Sequence, residues 1–199
     1  MIIREYRNND EKGWVRCRLL SFLDCSYYDD VRQEKELYEH PSICLIAEDN
    51  GITVGLIDVE YEEFEGDVCY FDGGLGAVIW HIGIIPEYRR QGIATELWNT
   101  AKVALLNKGI TRVEVWTQDD EAANEWYKRN GFEYKEAYLN AFIKGTSKDD
   151  IIREYIRLDI ADEIFGIRCL NFEAPLDRKD ELEKICYRLH EVRVYELIF

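Results

Sequence analysis

From Glu36 to Tyr88 the 199-residue chain contains no lysine and no arginine. Its formal net charge is −15, which argues against nucleic acid as a partner, because phosphate binding needs a basic surface. Histidine is scarce, and the six cysteines (Cys17, Cys25, Cys44, Cys69, Cys169 and Cys186) are scattered without a C-x-x-C pair. That spacing speaks against a metal site and a disulfide framework, and predicts reduced, mostly buried thiols. No apolar run approaches the ~18 residues of a membrane span. Met1-Ile2-Ile3-Arg4-Glu5 lacks the layout of a signal peptide, so the expectation is a cytoplasmic protein with no membrane partner.

What is present is a composition able to bury a core, 47% hydrophobic and 33% charged, in one domain or one domain with an elaboration. The organising stretch runs from Val78 to Gly109. Val78 to Ile85 is an apolar run rich in β-branched residues, which predicts a buried strand that Pro86 ends. After the turn Glu87-Tyr88-Arg89-Arg90-Gln91-Gly92, apolar residues recur at Ile93, Leu97, Ala101, Ala104 and Leu105 with helical period, and Gly109 is placed to end the helix. The start of such a helix offers unpaired N–H groups and about half a positive charge. Arg89 and Arg90 add cations there, and Gly92 permits close approach. The turn is therefore either an anion site or an ordinary strand-to-helix turn with solvated arginines.

The loop R-R-Q-G-I-A (Arg89 to Ala94) resembles the Q/R-x-x-G-x-G/A loop of the GNAT family of N-acetyltransferases. Downstream, D-E-A-A-N-E-W-Y-K-R-N-G-F (Asp120 to Phe132) is similar to that family's second signature, a short helix that carries a tyrosine and closes on Gly-Phe. The resemblance covers Met1 to about Lys144 and the last strand. It implies an α/β fold: a mixed, mostly antiparallel twisted sheet with a splayed parallel central pair and helices on both faces. An insertion of an αβα kind at about 145–190 would precede the last strand, in a single N-acetyltransferase domain spanning 1–199. It also implies acetyl-CoA as cosubstrate and no metal. The pyrophosphate would lie against Arg89, Arg90, Gln91, Gly92, Ile93, Ala94 and Thr95, and the pantetheine arm along Ile82, Gly83 and Ile84. Tyr127 matches the tyrosine that protonates the leaving thiolate. Asp120 stands where the family often has an asparagine, and Asn124 is the alternative contact. The glutamate common near the start of the central strand is missing, so the base is open among His81, Asp58, Glu60 and Asp72, or a water relay.

Elsewhere, Ile2 to Tyr6 reads as a strand, followed by a helix through Trp14 and Arg18 to Leu23 and a second over Val31 to Glu39, ended by Pro41. Tyr27 and Tyr28, in the link between them, are candidates to meet an acceptor. Ser42–Glu48 and Ile52–Tyr61 flank Asn50-Gly51, the strongest short hairpin signal. Glu62 to Gly76, rich in glycine, acids and aromatics, reads as a substrate-facing flap. Arg112–Trp116 is a strand, Glu121–Arg129 a helix capped by Asp120, and Phe132–Ile143 a strand. Later elements are a helix over Asp149–Leu158, a strand over Ile164–Phe172, a helix over Leu176–Leu189 and a strand over Val192–Phe199.

Twelve acids in the cation-free stretch are either a field that concentrates a cationic acceptor or a solvated acidic face. Within the resembled family, Trp14 and Arg18 on the first helix, R-R-Q-G-I-A and W-Y-K-R-N-G-F look most like aminoglycoside 6′-N-acetyltransferases, which implies a small cationic amine as acceptor, aminoglycoside-like or polyamine-like, with Asp58, Glu60, Asp72 and Trp80 as further candidate contacts. A peptide or protein amine is the alternative acceptor. A rival of another class is a catalytically weak acetyl-CoA-binding module with an interaction role, and a homodimer is a further expectation.

Overall fold

The computed structural model describes residues 1–144 and 168–199. In chain order the elements are β1 (Ile2–Glu5), α1 (Glu11–Phe22), β2 (Ser42–Asp49), β3 (Ile52–Tyr61), β4 (Gly76–Ile84), α2 (Ile93–Leu106), β5 (Arg112–Thr117), α3 (Glu121–Arg129), β6 (Glu133–Lys144), β7 (Cys169–Ala174) and β8 (Arg188–Ile198). They fall into two compact units, residues 1–135 with 194–199, and residues 136–193. Among the described residues no helix is long and apolar enough to cross a membrane.

In the first unit the strand order is β1-β2-β3-β4-β5-β8. The first four strands pair antiparallel, whereas β4 and β5 run parallel. The β2–β3 hairpin turns through Asn50 and Gly51, with φ of 49° and 77°, the two left-handed residues that an Asn-Gly turn provides. Helices cover both faces. A side chain at Gly83 would run into Ser21 of α1, while one at Gly55, beside Ile84, would meet Ile93 and Leu97 of α2. The helices bury matching stripes, Trp14, Cys17, Arg18 and Ser21 on α1 and Ile93, Leu97, Trp98, Ala101 and Leu105 on α2. Gly109, at φ 79°, reverses the chain so that Ile110 N–H reaches Leu105 O at 3.2 Å, which satisfies a helix-end carbonyl.

Residues 31–41, of which Val31 to Glu39 were expected as a helix, form no regular element. Tertiary bonds override the local propensity. Lys35 and Tyr38 both reach Asp58 on β3 at 3.0 Å, Glu36 reaches His81 on β4, and His40 N–H reaches Glu60 at 2.8 Å. Anchoring points spread over two strands require an open strap, which a helix could not supply.

Residues 62–75 are folded onto carboxylates. Glu62 accepts the N–H groups of Gly66, Val68, Cys69 and Gly76 at 2.7–3.3 Å. Glu114 on β5 accepts those of Tyr70 and Phe71, and Glu65 those of Gly73 and Gly74. Arg112, itself bonded to Glu114 and Glu196, donates to the carbonyls of Phe71 and Gly74.

The second unit contains β7 antiparallel to β6, from Leu139 opposite Ala174 to Lys144 opposite Cys169. Leu139, Ala141 and Leu182 form its small core with Ile185, Cys186 and Leu189 around them. The helix expected over Leu176–Leu189 is a 3-10 turn, Leu176–Arg178, and one helical turn, Lys179–Leu182. The apolar spacing of Leu182, Ile185, Cys186 and Leu189 imitates a helix, but a turn followed by the start of β8 brings the same side chains onto one cluster. The strand expected over Ile164–Phe172 is observed at Cys169–Ala174. The helix expected over 149–158 lies outside the described residues.

Burial pushes the Glu62 carboxyl up, but the backbone donors outweigh it and hold it below the usual range. A depressed folded value contributes stability above the unfolded value, about 4.3, that is lost as pH falls through the folded one. Glu62→Ala should therefore cost about 2 kcal/mol at neutral pH. Urea midpoints should show the difference shrinking as pH falls from 5 towards 3.

Candidate active site

β4 is the strand on which the site is built. Its register with β3 skips one residue, since Asp58 faces His81 and Val59 faces Ile79, which leaves Trp80 as a bulge. Its pairing with β5 covers only Gly76–Val78 against Arg112–Glu114. Beyond Val78 the two strands part, so the β5-side edge of β4 at Ile82 and Ile84 carries no ladder, and the Ile84 carbonyl takes the Arg89 guanidinium instead.

At the end of β4, a 3-10 turn at Pro86–Tyr88 leads into the loop before α2. Arg90 and Gly92 adopt left-handed φ values of 61° and 84°. Glu96 N–H is the first to bond back into the helix, to Gly92 O at 3.0 Å, so the amides of Ile93, Ala94 and Thr95 have no helical partner. No atom lies within 4 Å of a Cβ built on Gly92, and Arg89 to Gly92 are exposed. Arg89 donates to Ile84 O at 3.2 Å and Ser21 O at 3.0 Å, which fixes its guanidinium beside the loop. An exposed turn with two arginines, unpaired amides and a bare Cα suits a diphosphate.

Beside the bulge lies a cleft of about 270 Å³, lined chiefly by Glu36, Tyr38, Glu39, Glu60, Asp67 and Trp80. Trp80 is half exposed, and its indole N–H is pinned to Glu60 at 2.7 Å. The other Glu60 oxygen holds His40 N–H. Glu60 thus braces the indole that walls the cleft.

A model of the family described as "Acetyltransferase (GNAT) family" matches residues 7–132, more than half of the chain. The chain belongs to this acetyltransferase family. Solved structures share its fold at low identity. The PaiA N-acetyltransferase from Thermoplasma acidophilum in complex with coenzyme A is 15% identical with a TM-score of 0.52, covering 67% of this chain and 90% of that one. The ribosomal-protein-S18-alanine N-acetyltransferase from Escherichia coli is 11% identical with a TM-score of 0.56, covering 99% and 92%. The aminoglycoside 6′-N-acetyltransferase AAC(6′)-IG from Acinetobacter haemolyticus is 19% identical with a TM-score of 0.53, covering 68% and 93%.

Within this acetyltransferase the side chains singled out from the sequence separate clearly. Tyr127 on α3 is buried against Trp126, Phe132 and Tyr195, and burial pushes its phenol pKa up. Asn124 donates to Gln118 O and Asp120 O and accepts from Tyr195, at 2.7–2.8 Å. Thr95 accepts from the Trp126 indole at 3.3 Å. Asp120 makes no cap bond with its side chain; it accepts instead from the amide and hydroxyl of Ser26. The Tyr27 hydroxyl accepts Gln118 N–H at 2.9 Å, whereas Tyr28 is half exposed.

Among the candidate bases, Asp58 is fully buried and bonded to Lys35 and Tyr38, Glu60 is committed to the Trp80 wall, and Asp72 is exposed on the 62–75 loop. His81 is buried with Nε2 2.8 Å from Glu36. Sequence reasoning did not single out Glu36, Glu39 or Asp67 as cleft residues. Only the missing cations around them signalled a site. Among the described residues, no group of three or more metal-ligating side chains gathers.

The loop depends on Gly92 through its conformation, since space alone would admit a methyl. Gly92→Ala should lower stability by about 1–2 kcal/mol, read as a lower melting temperature with unchanged far-ultraviolet circular dichroism.

Proposed function

We propose that this acetyltransferase transfers the acetyl group of acetyl-CoA to the primary amine of a small cationic acceptor. The observation that carries this reading is the acid-lined, Trp80-walled cleft beside the bulge of β4. A cation entering it meets the carboxylates of Glu36, Glu39 and Asp67 and the face of an indole, both attractive to an ammonium group. Asp67 belongs to the 62–75 loop, which supports the reading of that loop as part of the acceptor side.

Arg89, Arg90, Gln91 and Gly92, with the amides of Ile93, Ala94 and Thr95, would hold the diphosphate. The free edge of β4 at Ile82, Gly83 and Ile84 would hold the pantetheine arm, and the Ile84 amide would polarise the thioester carbonyl. Bound acetyl-CoA supplies the acyl carbon, which gains a C–N bond as its C–S bond breaks and the electron pair leaves with sulfur. Tyr127, whose phenol pKa burial raises, gives its proton to the departing sulfur. His81 accepts a proton from the acceptor ammonium. Asn124 serves the site through Tyr195 and α3, its own polar atoms being occupied.

Exposed Leu37, Phe64 and Tyr70 favour a second reading, in which the amine is the terminus of a peptide that covers these apolar side chains.

Free-thiol release across a panel of amines tests the acceptor class. Di- and polyamines should outperform monoamines, and raising salt should lower kcat/KM for the multiply charged acceptors most, since screening acts over about 8 Å at physiological ionic strength. Salt-indifferent rates with every amine, or an anionic acceptor that proves best, would overturn the cationic reading. Tyr127→Phe should lower kcat about 10- to 1000-fold with little change in KM for acetyl-CoA, because only the transition state uses the hydroxyl. Equal kcat would leave the ring a packing role.

A further inference from the structure

The strap 31–41 reaches further into the site than its irregular backbone suggests. Its Glu36 lies 2.8 Å from His81 Nε2. The imidazole is 7% exposed, and its plane is set by the edges of Trp14 at 5.5 Å and Phe22 at 6.5 Å. We propose that Glu36 is the positioning residue of a carboxylate–imidazole pair, holding His81 as its Nε2–H tautomer so that Nδ1 takes the proton of the acceptor ammonium. It rests on the acetyl-transfer reading of the site.

The tautomer follows from the partner. The hydrogen bond to His81 is the main cause that holds the Glu36 carboxyl below its usual range, and an ionised carboxylate can only accept. A neutral imidazole facing it must carry its hydrogen on Nε2, which puts the lone pair on Nδ1. A core histidine with a purely structural role normally has both nitrogens satisfied. Here the Glu36 contact engages Nε2, and Nδ1 forms no hydrogen bond among the described residues.

The surrounding charges leave Glu36 as the carboxylate in contact with the ring. Asp58, which faces His81 across the β3–β4 ladder, is matched by the Lys35 ammonium and the Tyr38 hydroxyl. Lys35 lies under the rings of Tyr6, Trp14 and Tyr38, 4.7–5.3 Å from their centroids. On α1, Arg18 is paired with Asp30, and burial pushes the Cys17 thiol up to about 12. Arg32, on the strap, lies 3.5 Å from the other Glu36 oxygen, where it keeps that carboxylate ionised and aimed. The Lys35–Asp58 pair fastens the strap one residue away from Glu36, and so fixes the distance between Glu36 and the ring.

The step moves one proton. An N–H bond of the acceptor ammonium breaks, its electron pair stays on nitrogen, and the proton bonds to the Nδ1 lone pair. The imidazolium, now a donor from both nitrogens, remains against Glu36 until it releases that proton to water.

Two measurements on the intact chain decide it. In ¹⁵N-labelled protein at pH 8, His81 should show a single Nε2–H tautomer, and Glu36→Gln should give a mixture. With an acceptor whose own ammonium titrates above pH 9, kcat/KM should fall on the acid side. His81→Gln should lower kcat about 100-fold or more and move that acid limb up to the acceptor ammonium's own titration, since only free amine then reacts. Glu36→Gln should keep the limb and lower kcat about tenfold, with KM for acetyl-CoA unchanged in both variants. An Nδ1–H tautomer, an acid limb that stays in place in His81→Gln, or an undiminished kcat in Glu36→Gln would overturn the pair. If wild-type protein released no thiol with any amine, the transfer reading would fall, and the loss of the single tautomer in Glu36→Gln would still decide whether Glu36 positions His81.

Discussion

A strand that is fully paired on one side and paired for only three residues on the other is the constraint on which this molecule depends. β4 keeps its antiparallel ladder with β3 up to Ile84 but leaves β5 after Val78. Buried backbone donors and acceptors without partners are costly, so such an edge persists only where something else can bind it. The nearby features make sense on that basis. Gly83 admits α1 close behind the strand, the bulge turns Trp80 into the cleft, and the loop before α2 lies at the strand's open end.

The acidic stretch has a different physical meaning in three dimensions than it has as a list of charges. Asp58, Glu60 and Glu62 are buried and bonded, Glu48 is paired with Arg4, and Glu65 holds two loop amides. These acids organise backbone and strap. The acids at the cleft are Glu36, Glu39, Glu60 and Asp67, a much smaller set than twelve, and Glu36 among them is shared with His81 and Arg32. Local placement, more than total charge, sets what a ligand there would experience.

Much of this was legible along the chain wherever the signal is local. The Asn50-Gly51 hairpin, the β4–turn–α2 unit, the reversal at Gly109 and the limits of α3 follow from residue type and spacing. The splayed central pair was expected from the family resemblance carried by Arg89 to Ala94 and Asp120 to Phe132. Features set by distant partners were not readable. The strap is held by Asp58, Glu60 and His81, none of which is near it in sequence. The bulge at Trp80 is a property of the β3–β4 register, and the apolar period of Leu182 to Leu189 serves a turn and a strand as well as it would serve a helix. Glu36 was one acid among many until the strap brought it to His81.

Arg112 touches the 62–75 loop, β5 and, across 84 residues of sequence, Glu196 on β8. Lys135 closes on the same Glu196 at 2.7 Å. Without β8, Arg112 would keep its match in Glu114, and the cation left over would be Lys135, whose partner Glu196 the strand brings. One carboxylate on the last strand thus ties the foot of β5 to the start of β6, and the loop that Arg112 fastens is joined through it to the end of the chain.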